Sequence, residues 1–274
     1  MCMVNDPVDS IADTKLFASF NNNKTRQLMI YSNKIDNKLL VNAMVLPVPN
    51  SKSIIFHSMK EIPEFFNNLD TKFTKKVLTR SFTNLSRSFS YDEADNDTLE
   101  VLDIGSYLIS KVDSINDFKK LDKTYFELST NIQNIVELNY DGQFGYLVCK
   151  LKQGNLNYEP LAYSHDVYIK NNKPYLFLPS YHYHPDPHFN TNIKSEIYAD
   201  DWSHDVYIVN FNPKAYFNNY LTKLCNFYEW TYNNNKKNVG YDKFNFDFPH
   251  DLKNYQKFHI EGKKLNTDII VEAF

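Results

Sequence analysis

Glycine is scarce, with six in 274 residues. A phosphate-cradling loop needs several glycines at fixed offsets, and neither G-x-G-x-x-G nor a Walker motif occurs. Cysteine is scarcer still. Cys2, Cys149 and Cys225 are odd in number, far apart and never in C-x-x-C form, which fits a reducing compartment without disulfides. Positive charge is not in surplus: 30 Lys and Arg stand against 33 Asp and Glu, a net charge of −3. That argues against a large nucleic-acid footprint. The locally basic Lys72, Lys75, Lys76, Arg80 and Arg87 read as the solvated face of a helix. No apolar run approaches the length of a membrane span, and no secretory h-region follows the N-terminus. The expectation is a cytoplasmic protein with no membrane partner, and with nucleic acid an unlikely one.

Aromatic residues are abundant, 21 Phe and 20 Tyr. Such a chain can build its core from ring packing, with Tyr hydroxyls kept at polar edges. Histidines are concentrated: His165, His182, His184, His188 and His204 are five of the eight. Two hexapeptides are identical, Ser164-His165-Asp166-Val167-Tyr168-Ile169 and Ser203-His204-Asp205-Val206-Tyr207-Ile208. Their Val-Tyr-Ile runs read as strands. His182 and His184, two apart on a strand, would share a face. Were the three strands neighbours, His182, His184, His165 and His204 would converge as ligands for zinc or a similar divalent ion. Against this, no Cys or Glu falls at a fixed spacing to complete the site. Asp186, between Pro185 and Pro187, reads first as turn chemistry.

The N-terminus carries a second chemistry. Cys is small enough for Met1 to be removed, which would leave the Cys2 thiol beside a free amine that can act as its base. Two strands follow, Leu16 to Phe20 and Arg26 to Tyr31, as in N-terminal-nucleophile hydrolases, and Arg26 is the substrate-binding cation of that reading.

Elsewhere, Leu39 to Pro49 reads as a buried strand ended by its prolines. A helix spans Glu61 to Leu69, with Pro63 in its first turn. Leu99 to Ser110 reads as one long strand with a bulge at Gly105. Ser114 caps a helix from Ile115 to Leu121, and Thr130 or Asn131 caps another from Ile132 to Asn139. Further strands run over Phe144 to Leu151 and Tyr158 to Tyr163, with Gln153-Gly154-Asn155 as a turn. Helical spacing marks Tyr216 to Trp230, and two strands end the chain, Lys257 to Ile260 and Asp268 to Val271. Runs of strands with scattered helices, and no regular βαβ alternation, give an α+β class that is predominantly antiparallel. Residues 1–274 form one globular domain, with an internal boundary near 88–98 at the acidic stretch Asp92 to Asp97.

Several stretches carry a resemblance: Met1-Cys2, Arg26-Gln27-Leu28 with Tyr31, Asn42 to Pro49, Gly105-Ser106-Tyr107, Phe144-Gly145-Tyr146 with Cys149-Lys150-Leu151, and Pro179 to Pro185. Over about its first 210 residues the chain resembles an uncharacterised family of bacterial and giant-virus intracellular proteins. The resemblance implies an intracellular location, cytoplasm or virion, and supplies no activity. Three readings follow. The first is a non-catalytic structural or interaction protein, virion association included, and it asks least of the sequence. The second is a metal-dependent hydrolase on the histidines. The third is an amide hydrolase on Cys2.

Overall fold

The computed structural model describes residues 3–73, 98–140, 142–183, 185, 198–209, 226–231, 244, 246–248 and 255–272. Strands dominate, and the α+β expectation holds in that coarse sense. In chain order the strands are β1 (Met3–Val4), β2 (Ser10–Phe20), β3 (Arg26–Asn37), β4 (Ala43–Pro49), β5 (Ile55–His57), β6 (Val101–Ile104), β7 (Tyr107–Val112), β8 (Phe144–Lys150), β9 (Gly154–Asn157), β10 (Leu161–Asp166), β11 (Tyr168–Lys170), β12 (Lys173–Leu178), β13 (Tyr198–Val209), β14 (Asn226–Thr231), β15 (Tyr255–Leu265) and β16 (Ile269–Glu272). Two α-helices are described, α1 (Phe65–Asp70) and α2 (Thr130–Asn139).

Three sheets form. One runs β1-β4-β8-β7-β6, a second β14-β15-β13-β2-β3-β10-β5 with β9 beside β3, and a third β11-β12-β16. Among the described strands, pairing is antiparallel except where β13 runs parallel to β2. The sheets close on a central core that draws Leu16, Ala18, Met29, Met44, Ile109, Leu147, Leu176, Val206 and Ile208 from nearly every strand. The far face of the second sheet is also covered: Phe17, Leu28, Ile30 and Tyr207 meet Phe65, Phe66 and Leu69 of α1. Beyond the first sheet, Val45, Tyr146 and Val148 pack on Ile132, Ile135 and Val136 of α2. Strands covered on both faces read as continuous apolar runs, which is why Arg26 to Tyr31 and Ala43 to Pro49 do not alternate. Along β4, β1 reaches only Met44 and Val45, so β4 is an edge at Pro47 and Pro49, where a missing N–H is tolerated.

Several element expectations need correction. Leu99 to Ser110 is a hairpin: β6 pairs with β7, and Gly105 takes φ +59° at the turn. Gly154 opens strand β9, and Ile115–Lys120 is a 3-10 helix. Residues 226–231 are strand β14 where helical spacing points to helix, because the aromatic spacing there equally suits a strand; residues 216–225 lie outside the described set. α2 is capped by Ser129, whose side chain accepts from the Ile132 amide. Of the acidic boundary near 88–98, only Thr98 is described.

Candidate functional site

His165 and His204 do not sit side by side, so the four-histidine form of the metal reading is not met. β10 and β13, which carry His165 and His204, are separated in the sheet by β3 and β2. Three strand spacings are about 14 Å before any offset along the strands is added, far beyond two bonds of about 2 Å to one ion. His182 is not on a strand: β12 ends at Leu178. Its backbone is clamped by Asn266, which accepts from the His182 amide at 2.7 Å and donates to its carbonyl at 2.7 Å. His184 lies outside the described residues, as do Asp186 and Cys2. Among the described residues no group of three His, Cys, Asp or Glu could hold a metal ion.

His165 is buried at 1% exposure against the Tyr163 ring. Its Nδ1 lies 2.8 Å from the Asp166 carbonyl, an acceptor only, so Nδ1 carries the proton. Burial drives its pKa down to about 4, assisted by the Arg26 charge and opposed by that hydrogen bond. His165 is therefore neutral at physiological pH.

Arg26 opens β3, opposite Asp166 of β10. Its guanidinium donates to Asp166 Oδ1 at 2.7 Å, to the Ser53 carbonyl at 2.8 Å and to Ser164 Oγ at 3.3 Å. The cation is thus committed within the fold. Ser164 Oγ also lies 2.9 Å from His57 Nε2, and burial, then Arg26, pushes the His57 pKa down. A neutral imidazole next to a serine is the geometry of a nucleophile and its base. Ser164, however, is 1% exposed, so no substrate reaches it.

The sequence reading missed a charged cluster. Asp70, the last residue of α1, accepts from Tyr207 OH at 2.6 Å and Lys257 Nζ at 2.6 Å on Oδ1, and from Lys15 Nζ at 3.3 Å on Oδ2. Lys257 also lies 3.1 Å from Asp205, whose other oxygen meets His259 Nδ1 at 2.8 Å. Burial would raise the Asp70 pKa; hydrogen bonds from Lys257 and Tyr207, with the charges of Lys257 and Lys15, outweigh it and hold it below the usual range. The members come from β2, α1, β13 and β15, so no local spacing signals them. The cluster fastens α1 onto the outer face of the second sheet.

No family model matches the chain. Among solved structures it is similar to baculovirus P35, at 14% identity and a TM-score of 0.50, over 100% of both chains. The likeness shows a shared fold. Among the described residues no helix is long and apolar enough to cross a membrane.

Proposed function

We propose that the protein is a non-catalytic interaction protein that acts by binding a partner. The observation that carries this is Arg26. The cation that an N-terminal-cysteine hydrolase would offer its substrate is shared among Asp166, Ser53 and Ser164. The separation of His165 from His204 speaks only against a metal site that uses both of them, one of the forms the metal reading takes. A cytoplasmic or virion location, and kinship with intracellular viral proteins, belong to this proposal; the full-length likeness to a baculovirus protein is compatible with both.

The test pairs turnover with capture. Untagged protein is assayed on amide, ester and phosphate ester substrates with and without zinc, and bound metal is measured on the same sample. No turnover above blank is expected. Immobilised protein, with baculovirus P35 as a fold control, is exposed to one cell lysate, and a stoichiometric partner is expected in the retained fraction. Turnover abolished by His182→Ala or by Cys2→Ala would overturn the proposal in favour of one of the two hydrolase readings.

A further inference from the structure

A cavity of about 520 Å³ lies between the C-terminal end of α2 and the three-stranded sheet. Tyr140, Phe144, Tyr168 and Phe177 line it. Phe144 is the hub, with ring centroids 5.2 Å from Tyr140, 5.3 Å from Tyr168 and 5.0 Å from Phe177. Aromatic faces carry negative potential and attract cations.

Two carboxylates, Glu137 and Asp268, share the lining. Asp268 accepts from Tyr140 OH at 2.7 Å and from the amides of Ser180 and Tyr181, so it is fixed in place. The last carbonyls of α2 add the partial negative charge of a helix C-terminus. That last turn contains no basic residue to offset it. Among the described lining residues Lys170 is the opposing charge, and it is exposed.

The geometry points to a site for an aliphatic ammonium ion, with a trimethylammonium group against the rings and an apolar stem toward Leu138. The sign of the lining disfavours an anion. A neutral apolar ligand offers nothing to the Glu137 carboxylate. A methylated head suits ring walls better than a primary ammonium, whose three N–H groups each require an acceptor. The inference does not depend on the proposed binding role and extends beyond it.

The full chain is titrated by calorimetry and by aromatic-region NMR with choline, with Nα-acetyl-Nε-trimethyl-lysine methylamide, and with the neutral isostere 3,3-dimethylbutan-1-ol. Both cations should bind, the isostere roughly tenfold more weakly than the better of them. The tighter cation identifies the source, a choline headgroup or a methylated lysine side chain. Tyr168→Leu should weaken cation binding about fivefold. Lys170→Gln should strengthen it, and Glu137→Gln, an exposed change that leaves the fold intact, should weaken it. No binding by either cation, an isostere that binds as well, or Glu137→Gln and Lys170→Gln variants with unchanged affinity would each overturn the site.

Discussion

The two identical hexapeptides fold differently. Ser203–Ile208 lies within one strand, β13, flanked along its length by β2 and β15. Ser164–Ile169 is split. β10 ends at Asp166, because its partner β3 begins at Arg26 and the ladder has no further rung. Val167 donates to the Thr25 carbonyl, and Tyr168 starts β11 in a different sheet. The histidine and the valine of the repeat behave alike in both copies. His165 and His204 are both buried at 1%, and Val167 and Val206 both join the central core. The tyrosine diverges. Tyr207 packs on α1, whereas Tyr168 packs beside α2. Identical residues thus share placement only while both copies are strand, and the neighbouring strands decide how long the strand lasts.

The largest expected effect sharpens this contrast at the last position of each copy. Ile208 is 1% exposed in the central core, while Ile169 is 44% exposed on a short edge strand. Ile208→Ala should cost about 3 kcal/mol, from lost transfer energy plus a cavity. Ile169→Ala should cost less than about 1 kcal/mol. Urea denaturation of the two variants measures both, and equal losses would break the contrast.

The shared burial of the histidine makes a prediction about acid. The folded pKa of His165 lies near 4, below the unfolded value of about 6.5. As pH falls through 6.5 the unfolded chain takes up a proton that the folded ring refuses until about 4. Stability should therefore fall by about 3 kcal/mol across that window through this residue. A His165→Gln variant has no such proton, so its stability should depend less on pH between 6.5 and 4. His57, also depressed by burial, shifts in the same direction and leaves a residual slope in the variant. Asp70 acts lower down: its folded pKa is depressed, so its contribution is present above the unfolded value of about 3.8 and is lost as pH falls through the folded one. Matching pH profiles for parent and His165→Gln would show that the ring is not buried neutral.

Within β13 the outward side of the repeat joins the Asp70 cluster, so Tyr207→Phe should cost about 1.5 kcal/mol by removing a part-buried hydrogen bond to a carboxylate. Thermal and urea unfolding read this directly, and a neutral change would mean that α1 is held by its apolar face alone.

What was legible in the sequence follows from this. Strand identity was readable for β2, β3, β4 and β8, because their apolar and β-branched residues are local. Sheet order was not, since the metal reading assumed that sequence neighbours pair, whereas β2 and β3 come between. The Asp70 cluster was invisible because Lys15 and Lys257 are drawn from opposite ends of the chain and meet only through the parallel pairing of β2 with β13 and its neighbour β15.

The smallest effect is expected at the aspartates of the repeat. Both face away from the central core and both meet cations, but in different surroundings. The Asp205 side chain is 20% exposed, beside a Lys257 that is 12% exposed. The Asp166 side chain is 55% exposed, beside an Arg26 that is 26% exposed. Asp205→Asn removes the carboxylate that Lys257 and His259 share, while Lys257 keeps Asp70, a loss of about 1.5 kcal/mol. Asp166→Asn removes a charge that water already screens, and Arg26 keeps its bonds to the Ser53 carbonyl and Ser164, so the loss should stay below about 0.5 kcal/mol. Salt separates the two further. Raising ionic strength from 0.1 to 1 M shortens the screening length from about 10 Å to about 3 Å, which should erase the Asp166 effect and leave most of the Asp205 effect, whose charges are shielded from solvent. Denaturation of parent and both variants at the two salt concentrations measures all of this. An Asp166→Asn loss as large as that of Asp205→Asn, and equally insensitive to salt, would mean that the edge copy of the repeat is as enclosed as the central one.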